Sequence, residues 1–187
     1  MPNPHLQRVS REHMDPRTRA DHDASVALRD DGTFIEIAAN APELLEWYRE
    51  SFYAKVFYGG RIAVRLKELL RYRLSMTHGC AYCNKGNSKA ALKSGVSVEQ
   101  LANVMNEGHA CFDGRDRSVL KLAEQMAMTR PDGHLSGPLY RELRVHFDDA
   151  EIFELGMTAG ILTGMAKFIF AYDLVEREAT CPIHLPA

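Results

Sequence analysis

The sequence has no excess of charge of one sign: 23 Lys and Arg face 25 Asp and Glu, for a net charge of -2. Arg61, Arg65, Lys67, Arg71 and Arg73 are spread along helical stretches beside acidic residues and form no dominant basic face, so no nucleic-acid partner is expected. Cysteine is scarce too. Four residues, Cys80, Cys83, Cys111 and Cys181, are too few and too unevenly spaced for a disulfide framework. A second C-x-x-C and a His-x-x-x-His are both missing, so a closed zinc site would have to borrow His78 and His109; no metal and no other cofactor is expected. The opening residues, MPNPHLQRVSREHMDP, lack an apolar segment, which leaves no expectation of a signal peptide or lipid anchor and makes the cytoplasm the expected address. Runs that alternate apolar and polar residues between hairpin turns are also absent, as are internal repeats.

Apolar residues do recur at three- and four-residue steps, and they predict an all-α fold of about six to seven helices with short links. Residues 1–33, rich in Arg, Asp, His and Pro, read as an N-terminal arm, and 34–187 as a single helical domain. A helix is expected from Asn40 and Pro42 to Gly59-Gly60, with Leu44, Leu45, Tyr48, Phe52 and Val56 on one face. A second carries Ile62, Leu66, Leu69, Leu70 and Leu74 and ends near Gly79; a third runs from the cysteines to Lys93, stopped by Ser94-Gly95. Ser97 with Gln100, and Asp148 with Glu151, are capping signatures; further helices are expected from near Asp116, after Ser136 and Pro138, and from Asp148 to about Glu178. The stretch ELGMTAGILTGMAKFIFAYDL is strongly apolar, but Lys167 interrupts it and Glu154 and Asp173 bracket it, so it reads as a buried helix rather than a membrane span. Gly156, Gly160 and Gly164 would let another helix come close. This apolar helix and the aromatic-rich stretch from Trp47 to Tyr58 point to self-association as a homo-oligomer. Those aromatics read mainly as core and subunit packing, with some available to wall a pocket over the thiols.

The stretch THGCAYCNKGN, from Thr77 to Asn87, carries the chemistry. If Gly79 ends one helix and Cys80 opens the next, the thiols sit in a first turn, where unpaired amides and the helix dipole favour a thiolate. The spacing sets Cys80, Cys83 and Asn87 along one face. Three readings remain open at this point: a redox dithiol, part of a metal site, or two inert buried thiols. His78 also reads as a cation at a helix C-terminus, and Glu68 as an ion-pair partner of a neighbouring Arg or Lys.

With KELLRYRLSMTHGCAYCNKGNSKAALKSGVSVEQL at its centre, the chain resembles the carboxymuconolactone decarboxylase-like superfamily, in particular its alkylhydroperoxidase D branch. The resemblance covers roughly residues 34–178, with the C-x-x-C core at about 61–128. It implies an orthogonal helical bundle, and an active dithiol served by a glutamate and by a histidine four residues after the second cysteine. Glu68, Cys80 and Cys83 match that set, and Asn87 stands at the histidine position. By the same resemblance Cys83 attacks a peroxide and Cys80 resolves the sulfenic acid, the disulfide then being reduced by a dithiol partner. Helix-dipole reasoning alone favours Cys80 as the more acidic thiol. A carboxamide cannot titrate as imidazole does, so the relay would need His78 or His109, or a Glu68 raised in pKa by burial, or a changed chemistry. Three functions follow: a thiol-dependent peroxidase or related disulfide oxidoreductase; a lyase or decarboxylase acting on a small, aromatic-derived organic acid with Glu68 as base; or a non-enzymatic helical oligomer. Relatives form dimers, trimers or hexamers.

Overall fold

Asp15 and Pro16 begin the first helix: the Asp15 carboxylate accepts the amides of Arg17 and Thr18, and Pro16 occupies the first helical position, where its missing N–H costs nothing. In the computed structural model, which describes residues 2–179 and 181, this helix, α1 (Pro16–Arg29), lies within the stretch read as an arm. It packs on α2 (Thr33–Ala38) and α5 (Ala81–Lys93), burying Thr18 and Ser25. The regular structure of the described residues is all helical, with α3 (Pro42–Trp47), α4 (Val64–His78), α6 (Val98–Ala102), α7 (Gly114–Met126), α8 (Gly137–Arg144) and α9 (Asp149–Ala171) completing nine α-helices. That exceeds the expected six to seven, because α1 and α2 are too polar or too short to show helical periodicity.

The helix expected from Pro42 is present, but Ala41 and not Asn40 precedes it. The Asn40 amide donates instead to the carbonyls of Gln7 and Ile37. From Tyr48 to Phe57 the chain winds as a π-helix, closed by a 2.8 Å bond from the Tyr58 N–H to the Tyr53 carbonyl, five residues back.

Helix α4 is the centre of the packing. Leu66, Leu70 and Leu74 meet Val119 and Leu122 of α7 and Ile152, Leu155 and Ala159 of α9. On another side Leu69 joins Ala91, Val96, Phe112 and Leu120 in a second cluster. Fully burying such side chains stabilises by about 1.5–3 kcal/mol each. The Lys67 ammonium, wholly buried between these layers, donates to the Val56 carbonyl at 2.7 Å and to Glu154 of α9 at 3.0 Å. Glu154 also accepts the amides of Arg61 and Ile62, so one carboxylate ties α9 to the turn between the π-helix and α4.

The expected stops and caps are in place. Gly79 ends α4 with φ +66°, the left-handed region, and Ser97–Gln100 and Asp148–Glu151 form two-way capping boxes. Helix α9 differs from expectation in two respects. It ends at Ala171, short of Glu178, and only a third of its most apolar 18-residue window, of mean hydropathy 1.3, is buried, although its length and hydropathy would suffice to cross a membrane. Among the described residues no helix packs closely on the glycine stripe: a β-carbon added to Gly156 or Gly164 meets nothing within 4 Å, and one on Gly160 only touches the end of the Met126 side chain of α7.

Candidate active site

The turn from α4 into α5 delivers the two sulfurs. Gly79 reverses the chain, Cys80 is the N-cap of α5, and its Sγ accepts the Cys83 amide at 3.2 Å, so a first-turn N–H points at that sulfur. Cys80 and Cys83 are joined in a disulfide. Cys80 is fully buried while Cys83 is partly exposed, and both face a cavity of about 530 Å³. That volume suits a small organic molecule.

The cavity is walled by tyrosines. Tyr48, Tyr53 and Tyr58 recur every five residues, and the π-helix turns all three toward the same space. Tyr53 lies edge-on to Tyr48 at 5.0 Å and stacked on Tyr58 at 5.9 Å. Tyr82, from inside the C-x-x-C loop, supplies a fourth ring; its hydroxyl lies 2.7 Å from Ser25 Oγ of α1, and the Arg29 guanidinium sits 4.9 Å from its ring centre. Burial raises the pKa of Tyr48 and Tyr58, and of Tyr82 against the opposing pull of Arg29, so these phenols are protonated donors at neutral pH and not bases. The alternative that some aromatics wall a pocket thus holds for the tyrosines, whereas Phe52 and Phe57 are core and Trp47 is exposed.

Glu68 is buried on α4, outside the lining of the cavity. Its Oε2 accepts from Arg71 Nη2 at 2.5 Å, and its Oε1 has no partner among the described residues. Burial raises its pKa, with Arg71 opposing. Arg71 faces the cavity, stacked 4.8 Å over Phe57, with Nη1 3.4 Å from the Tyr53 hydroxyl. Burial disfavours its charge, but Tyr53, Glu68 and Tyr58 outweigh this and keep it protonated. The glutamate therefore acts on the cavity through an arginine.

Asn87 is buried on α5 and lines the cavity one turn beyond Cys83. His78, at the end of α4, also lines it, yet its Nε2 accepts the Met128 amide at 3.1 Å, and burial lowers its pKa to about 4. A neutral imidazole holding a backbone amide is no helix-terminal cation, which corrects that reading of His78. Cys181 packs beside Cys80, its Sγ donating to the His78 carbonyl at 3.0 Å. No group of three or more His, Cys, Asp or Glu among the described residues is disposed to hold a metal ion. Reasoning from sequence missed α1 as a cavity wall and Tyr82 as a lining residue. The five-residue interval of Tyr48, Tyr53 and Tyr58 was the one available signal for the π-helix.

Residues 42–125, somewhat less than half of the chain, match the model of the carboxymuconolactone decarboxylase family. The fold is like that of alkylhydroperoxidase D-type structures. A peroxidase-related protein from Ralstonia eutropha, described as an alkylhydroperoxidase D core, superposes with a TM-score of 0.73 at 13% identity, covering 96% of this chain and 94% of that one. The debrominase Bmp8, as an altered form in complex with 2,3,4-tribromopyrrole, superposes with a TM-score of 0.74 at 16% identity over 95% of this chain and 93% of that one. At these identities the likeness is one of fold. The uncharacterized protein YdfG of Bacillus subtilis is 26% identical over 91 residues, 48% of this chain; the match spans 60% of that protein's length.

Proposed function

We propose that the chain is a thiol-dependent oxidoreductase that reduces a small organic hydroperoxide, with Cys80 and Cys83 as its two-electron donor. The observation that carries this reading is the disulfide-linked pair opening through Cys83 onto a tyrosine-walled cavity at the start of α5. In the reduced protein the Cys83 thiol gives its proton to solvent. The thiolate attacks the outer oxygen of ROOH, the O–O bond breaks, Cys83 becomes a sulfenic acid, and the alkoxide takes a proton from water to leave as ROH. The Cys80 sulfur, held by the Cys83 amide, then attacks the Cys83 sulfur; water departs and the disulfide forms. A dithiol partner returns the two electrons. Exposure favours Cys83 as the attacking sulfur, and the amide contact favours Cys80 as the stabilised thiolate that closes the disulfide.

Asn87 can orient a peroxide oxygen by hydrogen bonding but cannot relay a proton. Arg71, kept charged beside Glu68, is placed to steady the departing alkoxide. The lyase alternative asks Glu68 to be a general base in the cavity; its position behind Arg71 favours the dithiol reading. A second acceptor fits the same two electrons: a halogenated aromatic ring, with R–X and two thiols giving R–H, HX and the disulfide. The four tyrosines around a cavity with room for an aromatic ring support it, as does the fold shared with a debrominase.

Reduced protein is expected to consume one equivalent of tert-butyl hydroperoxide and form the Cys80–Cys83 disulfide. Cys80→Ser should stop at a dimedone-reactive Cys83, and Cys83→Ser should consume none. Peroxide consumption by Cys83→Ser at the wild-type rate would refute the assignment.

A further inference from the structure

Three arginines line the cavity, and two of them are already paired with carboxylates. Arg49 is paired with Asp21 across α1, and Arg71 with Glu68. The third, Arg29, at the last turn of α1, has no carboxylate and no hydrogen-bond acceptor on its guanidinium among the described residues, and its Nε is buried without a partner. Its face is used, resting 4.9 Å from the Tyr82 ring centre, while its N–H edge is unspent. Asp31, two residues on, does not line the cavity and turns one carboxylate oxygen to the Thr33 amide. The formal charge of the lining, with these pairs cancelled, is that of Arg29.

A second observation fixes where this guanidinium lies. Gly86 sits inside α5, where glycine costs a helix about 1 kcal/mol relative to alanine. A β-carbon there would come within 2.4 Å of Arg29 Nη2 and 2.7 Å of its Cζ. The glycine clears the space that the guanidinium fills. Gly86 follows Cys83 by three residues, the spacing that makes helix neighbours, so Arg29 is held against α5 within a turn of the partly exposed sulfur.

We propose that Arg29 is a specificity-determining residue of this cavity, and that the substrate is a planar organic anion, an aryl carboxylate or phenolate that also carries the reducible hydroperoxide or halogen, whose charged group pairs with Arg29 while its ring lies among the tyrosines beside Cys83. The inference rests on the reading that the cavity holds the substrate of the dithiol, and it assigns the recognition to α1, which lies outside the family-matched residues 42–125. A guanidinium presents a fork that matches a carboxylate, and a desolvated charge-assisted pair discriminates strongly against a neutral isostere.

The test is binding to the intact, oxidised protein, measured by calorimetry with benzoate and its neutral isostere benzamide. Benzoate is expected to bind at least about ten-fold tighter than benzamide. Arg29→Met should bring benzoate to the affinity of benzamide, Arg29→Lys should restore part of the preference, and Gly86→Ala should reduce it by displacing the guanidinium. Thermal melts confirm that each variant is folded. Equal affinities in the wild type, no benzoate binding at millimolar concentration, or a preference that survives Arg29→Met would each overturn the proposal. Because no turnover is read, a benzoate preference without peroxide consumption fails only the redox reading, and peroxide consumption without a preference fails only this one.

Discussion

Ser25 Oγ and the Tyr82 hydroxyl lie 2.7 Å apart, so the residue between the two cysteines is tied to a helix more than fifty residues earlier in the chain. Ser25 also donates to the Asp31 carbonyl, which leaves the phenol to donate to Ser25 in turn. The C-x-x-C loop and the outer wall of the cavity are thus one hydrogen-bonded unit.

Tyr82→Phe removes this tie while keeping the ring under Arg29. Such a bond is worth about 1 kcal/mol. The α1 amides should exchange with deuterium about five-fold faster, with those of α4 unchanged. If α1 protection matches the wild type, α1 is held by other contacts.

Much of this architecture could be read from the residues. Gly79, Ser94-Gly95, Ser97 with Gln100, and Asp148 with Glu151 are local signals whose physics acts within a few residues, and each lies at an element boundary in the fold. The pairing of Cys80 with Cys83 across one turn is local in the same sense. What was hidden depends on distant partners. Arg29 gains meaning only from Gly86, Tyr82 only from Ser25, and Lys67 only from Glu154. The π-helix was hidden because its four-residue apolar steps imitate an α-helix, and α1 because its packing face is made of small and polar residues.

Burial of His78 makes stability depend on pH. An imidazole in the unfolded chain binds its proton near pH 6.5, and the folded one at about 4. Between these values the unfolded state holds more protons, so the contribution is full above pH 6.5 and disappears as pH falls toward 4. The gap corresponds to about 3 kcal/mol. Urea unfolding at a series of pH values should show this loss in the wild type, and His78→Gln, which keeps an acceptor for the Met128 amide, should flatten it. An equal slope in both proteins would assign the acid lability elsewhere.

Gly79 is required twice over. Its φ of +66° costs any residue with a β-carbon about 1–2 kcal/mol, and that carbon would lie 2.6 Å from the Cys181 α-carbon. Gly79→Ala should therefore lose at least about 2 kcal/mol of stability in urea unfolding and loosen the disulfide turn. A loss below about 1 kcal/mol would mean that the segment around Cys181 moves aside freely.

Lys67 and Glu154 form an ion pair between α4 and α9, the ammonium wholly buried and the carboxylate also holding the Arg61 and Ile62 amides. Burial of the charged carboxylate opposes the ionised form, yet these amides and the ammonium lower the Glu154 pKa on balance. Replacing the lysine alone leaves a desolvated carboxylate, a loss of about 3–5 kcal/mol. Lys67→Met should therefore be strongly destabilising, while Lys67→Met combined with Glu154→Gln should recover at least about 1 kcal/mol of that loss, since the amide oxygen of glutamine still accepts the two backbone N–H groups without a charge to bury. A double variant as unstable as the sum of the singles would show that the two residues act independently, and that the turn before α4 is held by its packing rather than by this carboxylate.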